Sequence, residues 1–150
     1  MVRPAAPRKL IAAWTLTIVK GIAMQTPRNP GGVHSPLAPY SHQIEVTGAE
    51  RWLVLSGQVG MHPDRSIPGD AAEQLDLALA NVLRNLDAAG MAVADLVKLT
   101  LYLVDEIAPD ARAAVLRERL GDVQPCMTLV YVPQLAVPPL KVEVDAWAAA

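Results

Sequence analysis

The sequence feature that most constrains the fold is an amphipathic helix between Asp70 and Gly90. Its apolar residues recur at helical spacing and form one stripe. Asp70 is a good N-cap residue, and Glu73 stands three positions later, as in a capping box. Gly90 stands where a left-handed C-terminal cap is expected. The pattern predicts a helix over residues 71–89 that buries its stripe in a core. The stripe consists of Leu75, Leu79, Val82, Leu83 and Leu86.

A strand with two unlike faces follows this helix. In residues 97–104, with the sequence VKLTLYLV, apolar side chains alternate with a semi-polar set. An alternation of this kind is typical of a strand with one buried face. The side chains expected on the buried face are Val97, Leu99, Leu101 and Leu103.

Shorter segments predict the rest of the fold. Residues 42–46 and 52–59 are interpreted as two strands that pair, with the second one buried. The turn between them contains Gly48, which can adopt a positive φ. The remaining elements are a helix over residues 109–120, between Pro109 and Gly121, and strands over residues 127–132 and 141–147.

The order β-β-α-β-α-β-β predicts an α+β fold, a mixed β-sheet with two helices packed on one face. The other face of the sheet is too polar for a core and too apolar for an ordinary solvated surface. Such a face usually meets another subunit. Its side chains are Lys98, Thr100, Tyr102, Glu143, Asp145 and Trp147.

The chain of 150 residues is long enough for one domain. We expect that domain at residues 36–150, after an N-terminal extension and an irregular, Pro- and Gly-rich lead-in at residues 1–35. An apolar run at residues 10–19 is too short to span a bilayer. It could belong to a signal peptide, but Lys20 interrupts it and no A-x-A site follows. The preferred alternative is an extension outside the domain, with Met24 as the true start.

Charge and cysteine content exclude several classes of protein. A net charge of −2 without a clustered basic face disfavours nucleic acid as a partner. The single cysteine, Cys126, cannot form an internal disulfide and suits a reducing compartment, so we expect a cytoplasmic protein. Three scattered histidines predict no metal site. No membrane partner is expected.

Several segments resemble the RidA/YjgF family in their order and spacing across residues 36–148. The resemblance implies a chorismate-mutase-like homotrimer with a small-molecule cleft at each subunit interface. It also implies hydrolysis of reactive enamines or imines to ammonia and a 2-oxo acid, without a cofactor. The segments are APYS at 38–41, LSGQVG at 55–60, GDAAEQ at 69–74, NVLRNLDAAG at 81–90, DLVKLTLYLVD at 95–105 and KVEVDAWA at 141–148.

Site residues follow from the same resemblance. Tyr40 matches a tyrosine that orients the substrate, and Glu143 matches a glutamate that handles water. Ser56 and Gly57 match a segment whose backbone groups bind the substrate. The family's P-A-R-[ST] pattern holds the substrate carboxylate through its arginine. Here Met127 takes that arginine's position, flanked by Cys126 and Thr128 as further candidate substrate-binding residues.

Replacing the arginine by methionine leaves two functions open. Losing a charge-assisted contact typically weakens binding about a hundredfold. The enzyme could therefore act on a neutral metabolite, with Met127 as a soft cleft wall, and Arg51 or His34 could supply another cation. Alternatively, the trimer is a non-catalytic ligand-binding or chaperone-like protein. A ribonuclease activity, for which some relatives are named, is disfavoured by the acidic pI of about 5.9.

Each site residue also has a simpler explanation. Glu143 could belong to an ion pair beside Lys141 and Asp145 on the semi-polar face. Tyr40 could pack only at the start of the first strand, and Cys126 could be a small, partly buried residue.

Overall fold

The computed structural model describes residues 23–150. Within that range no helix combines the length and the apolar character needed to cross a bilayer. A single turn of 3₁₀ helix at Val93–Asp95 precedes the fourth strand. In chain order the other elements are β1 (Met24–Arg28), β2 (Gln43–Thr47), β3 (Trp52–Val59), α1 (Ala71–Ala88), β4 (Leu96–Leu103), α2 (Pro109–Leu120), β5 (Cys126–Tyr131) and β6 (Val142–Ala149).

The main sheet has four strands in the order β3-β6-β4-β5. β4 and β5 run parallel, and the other two pairs are antiparallel. A parallel pair needs a crossover connection, which α2 supplies here. The sheet is therefore mixed, and β3 and β5 form its two edges. β1 and β2 pair with each other as a separate two-stranded ribbon.

Both helices contribute to a core on one face of this sheet, which confirms the predicted α+β fold. The stripe of α1 packs against alternating side chains of β4 and β6, including the fully buried Leu99 and Val144. α2 adds Leu116 and Leu120 to the same core. Neither α1 nor α2 lies on the opposite face, and Trp147 on it is 47% exposed.

The N-cap at Asp70 and the left-handed cap at Gly90 form as the sequence predicts. The Asp70 carboxylate accepts hydrogen bonds from the backbone N–H groups of Ala72 (2.8 Å) and Glu73 (3.0 Å). Gly90 has a φ of +66° and donates to the carbonyl of Asp87, while Met91 donates to that of Leu86. This pair of bonds is a Schellman motif, which satisfies carbonyl groups at the end of a helix.

A bidentate ion pair joins the outer surfaces of the two helices. The Arg119 guanidinium donates through Nε to Oδ1 of Asp76 (2.6 Å) and through a terminal nitrogen to Oδ2 (2.5 Å). The bond to Arg119 lowers the pKa of the Asp76 carboxyl below its usual value. The contact fixes α2 against α1 and hence the crossover that places β5.

Four details of the predicted sheet are wrong. Residues 24–28 form β1 instead of irregular chain, and β2 pairs with β1 instead of β3. β3 is an edge strand whose Val54 is 56% exposed, because it pairs only with β6 in the main sheet. In β4 the register shifts at Val97, so Leu96 takes its buried position. The apolar run at residues 10–19 lies outside the described residues, and the domain boundary at residue 36 stays a prediction.

Replacing the helix cap tests this account of α1. Asp70→Ala removes both cap hydrogen bonds and should lower the free energy of unfolding by about 1 kcal/mol. Asp70→Asn keeps an oxygen acceptor and should change it by only a few tenths. Urea denaturation followed by circular dichroism measures both values. Equal losses in the two variants would show that the cap bonds contribute nothing.

Candidate functional site

A β-bulge places the segment Ser56–Gly57 against β6. Leu55 and Gln58 are the paired positions on either side of it, and the two residues between them oppose Asp145 alone. A bulge of this kind bends the strand and redirects its side chains. The sequence identifies Ser56–Gly57 as a candidate binding segment, but it does not predict the bulge, because the bulge depends on the register between β3 and β6.

The carboxylate of Glu143 lies directly over Gly57. A Cβ built on Gly57 would overlap the Glu143 side chain, with Cγ only 2.6 Å away. Glycine is therefore the residue that lets this carboxylate approach the β3 backbone. The structure thus brings together three of the predicted site residues, Ser56, Gly57 and Glu143, which we call the Glu143 group.

Tyr102 and Asp145 extend the Glu143 group on the helix-free face. Tyr102 is the cross-strand partner of Glu143, and its hydroxyl donates to Oδ2 of Asp145 at 2.9 Å. This bond, together with the negative charges of Asp145 and Glu143, raises the pKa of the Tyr102 phenol above its usual value. The phenol is therefore held as a hydrogen-bond donor. The alternation in the sequence predicts that these residues share one face, but it does not predict the register between β4 and β6.

The alternative of an ion pair between Glu143 and Lys141 does not match the structure. The Lys141 ammonium lies 2.9 Å from the Asp105 carboxylate. Glu143 is half-buried beside Gly57. Its position depends on the close approach of two strands.

Tyr40 lies at the opposite edge of the sheet, near the start of β5. The following residue, Ser41, donates its hydroxyl to the Gln124 carbonyl (2.8 Å) and its N–H to the Pro125 carbonyl (3.3 Å). The Tyr40 ring meets the His42 ring edge-on at a centroid distance of 5.5 Å. These contacts fix Tyr40 beside the strand that carries Met127.

Alternation along β5 separates its three candidate residues. Met127 pairs with Leu99 and packs against the edge of the helix-side core. Cys126 and Thr128 lie on the helix-free face, where the Lys98 ammonium donates to the Thr128 hydroxyl. Met127 and Glu143 therefore occupy opposite faces of the same sheet. We call Tyr40, Cys126, Met127 and Thr128 the Tyr40 group.

The Glu143 group and the Tyr40 group are separated across the sheet. Gly57 on β3 and Met127 on β5 lie at opposite edges, three strand spacings or about 14 Å apart, and Glu143 on β6 is two spacings, or about 10 Å, from β5. A single chain consequently does not assemble the predicted site.

The two cations considered as replacements for the arginine differ in position. Arg51 donates to the Ala89 carbonyl at the end of α1 (2.9 Å) and joins neither group. His34 stands next to the Tyr40 group, because its ring lies 5.0 Å from that of His42.

The linings of three surface cavities on the described part of the chain contain none of the predicted site residues, although Pro39 and Ser41, which flank Tyr40, line two of them. One of about 540 Å³ runs between α1 and α2 and is lined by Leu77, Arg84 and Val115, among others. A second, of about 320 Å³, lies beneath the β1–β2 ribbon, and a third, of about 160 Å³, lies beside the end of α2. Residues 23–150 contain no cluster of three or more His, Cys, Asp or Glu side chains able to hold a metal ion.

Comparison with protein-family models shows which family shares this arrangement. The model described as Endoribonuclease L-PSP matches residues 32–150, which include every residue of both groups. The chain belongs to this family. It corresponds to the RidA/YjgF family that the sequence resembles.

Relatives of this family member include a RutC family protein of Pyrococcus horikoshii, 31% identical over 102 residues, which are 67% of this chain and 79% of that protein. A 2-iminobutanoate/2-iminopropanoate deaminase of Bos taurus is 38% identical over 71 residues, 46% of this chain and 50% of the relative. The crystal structure of a Rid family protein from Yersinia pestis superimposes with a TM-score of 0.75 at 27% identity. The superposition covers 84% of this chain and 98% of the Yersinia pestis chain. The family thus includes deaminases of reactive intermediates.

A double-mutant cycle tests the contact between Gly57 and Glu143. Gly57→Ala should lower the free energy of unfolding by about 1–2 kcal/mol, since its methyl group displaces the carboxylate. In a Glu143→Ala background most of that loss should disappear. Urea titrations of the four proteins give the coupling. Gly69→Ala is the control, because the space beside that glycine is open, and equal losses in both backgrounds would contradict the geometry.

Proposed function

We propose that this protein is a homotrimeric hydrolase whose inter-subunit clefts process a reactive imine, enamine or related neutral metabolite. The observation that supports the clefts is the separation of the Glu143 group from the Tyr40 group. In a ring of copies, the β3 edge of one chain can face the β5 edge of the next. That contact would bring the two groups together.

The exposed side chains of the sheet support the same assembly. Apolar groups lie uncovered on β3 and β6, where Val54 pairs with Trp147, and on β5, where Tyr131 is 53% exposed. Open edges and apolar sheet faces generally need covering. A neighbouring copy would cover both.

The chemistry proposed for the cleft needs a water molecule and no cofactor. Water adds to the C=N carbon, and the resulting carbinolamine releases ammonia and leaves a carbonyl compound. The Glu143 carboxylate would accept the proton of the attacking water. Backbone groups of Ser56 and Gly57 would bind the polar end of the substrate, and Tyr40 would orient it.

Met127 is the reason to propose a neutral substrate. A thioether cannot form the paired, charge-assisted hydrogen bonds that a guanidinium gives to a carboxylate. Met127 is half-buried on the edge strand β5, beside Leu99, so the exposed part of its side chain would give that edge an apolar surface next to the cleft. Cys126 and Thr128 would line the adjoining surface.

The same methionine supports a second candidate function, a non-catalytic ligand-binding or chaperone-like trimer. In that case the clefts bind a small molecule without turnover. For either function we propose small molecules and further copies of the chain as partners, with neither nucleic acid nor membrane. We also propose a cytoplasmic location, since a lone cysteine suits a reducing compartment.

Ammonia release distinguishes the two functions. We expect turnover of a neutral imine but little of freshly generated 2-aminoacrylate, because Met127 gives the carboxylate no partner. Met127→Arg should raise activity on the acid at least about tenfold. Glu143→Ala should abolish turnover of the imine, while Glu106→Ala, which removes an exposed carboxylate elsewhere, should not.

Two outcomes would argue against an active enzyme. If neither substrate reacts and a ligand only raises the melting temperature, the binding protein is the better conclusion. If Glu143→Ala retains full activity, Glu143 does not handle the water.

Subunit complementation tests the inter-subunit cleft. Glu143→Ala and Tyr40→Ala should each be inactive alone. When equal amounts are refolded together, one cleft in each mixed trimer, or about one quarter of all clefts, would receive both native groups, so activity should return. Sedimentation should first give three times the chain mass of 16.0 kDa. Trimers that stay inactive after mixing would place the whole site within one chain.

A further inference from the structure

Gln74, on the first turns of α1, is a fully buried polar side chain. Its Nε2 donates to the carbonyl oxygens of Pro68 (2.7 Å) and Pro139 (3.0 Å). Its Oε1 accepts from the backbone N–H of Lys141 at 2.7 Å. Both donor hydrogens and the acceptor oxygen are used. A buried amide is tolerated when it is bonded in this way, because unpaired polar groups are costly away from water.

These bonds connect two separate loops to one helix. Pro68 belongs to the loop between β3 and α1, whereas Pro139 and Lys141 belong to the loop between β5 and β6. Lys141 also accepts a hydrogen bond from the backbone of Val104 at 2.8 Å. The chain entering β6 is therefore held on both sides, two residues before Glu143.

The backbone of Gln74 also limits the path of the chain leaving β3. A Cβ on Gly60 would lie 2.5 Å from the Gln74 Cα, so Gly60 passes directly against the helix. Gly60 comes three residues after Gly57. One residue of α1 thus contacts the chain just beyond Gly57 and just before Glu143.

We propose that Gln74 is a positioning residue that holds the Glu143 carboxylate over Gly57. This inference rests on the proposed function insofar as that contact serves catalysis. A shift of about 1 Å in a reacting group can reduce turnover about a hundredfold. Without the amide, the backbone N–H of Lys141 loses its partner, so the start of β6, and with it the Glu143 side chain, is held less firmly.

The test is Gln74→Met, which keeps the length and volume of the side chain but removes all three hydrogen bonds. We expect kcat to fall at least about tenfold, with KM changed much less, because the substrate-binding backbone stays in place. Leu86→Val is the matched control, a change in the buried stripe about three turns from Gln74, near the other end of α1. It should lower the melting temperature and leave kcat unchanged at temperatures well below that transition.

A second readout does not depend on activity. The stability coupling between Gly57→Ala and Glu143→Ala should be lost in a Gln74→Met background and kept in a Leu86→Val background. If Gln74→Met folds poorly, Gln74→Asn keeps the amide on a shorter side chain and should give a smaller change in the same direction.

The outcomes separate this proposal from the proposed function. If the unmutated protein shows no turnover, the proposed hydrolase function is wrong. The stability coupling between Gly57→Ala and Glu143→Ala still tests the role of Gln74 in that case. If Gln74→Met leaves both kcat and the stability coupling between Gly57→Ala and Glu143→Ala unchanged, Gln74 is not a positioning residue. An equal loss of kcat in Leu86→Val would overturn the proposal as well.

Discussion

Helix α1 buries its apolar stripe against β3, β4 and β6, and the rest of the arrangement depends on this packing. Leu75 and Leu79 on the helix and Leu99 on β4 are completely buried. Since side chains alternate along a strand, covering one face of the sheet assigns every neighbouring residue to the other face. Glu143, Asp145 and Tyr102 therefore lie on the helix-free face. The core thus determines which chemical groups remain available.

The sequence predicts features that depend on neighbouring residues better than those that depend on distant pairing. The cap at Asp70, the left-handed Gly90 and the alternation in β4 from Leu99 onwards are local, and all three form as expected. β1 was missed because Pro27 lies within it, and proline weakens the signal of a strand. Gly48 does adopt the predicted positive φ, but this turn does not join two paired strands, because the partner of β3 is β6, far along the chain.

The candidate site shows the same difference. Glu143 and Gly57 were singled out separately, but their contact requires a bulge that depends on the register between β3 and β6. Met127 was placed with Cys126 and Thr128 by sequence proximity. Alternation along β5 instead gives the three residues two different faces. Strand pairing therefore determines which residues come together in a site, and the spacing of residues along the chain does not predict that pairing.

The position of the two residue groups at opposite edges of one sheet has a consequence for regulation. Contacts between unlike edges are heterologous, so the proposed trimer would have one cleft for each chain and an isolated chain would have none. Complete dissociation of that trimer into single chains would remove all of its clefts. The concentration of complete clefts would then rise more steeply than the total concentration of chains. Function would therefore require a minimum concentration of the protein in the cell.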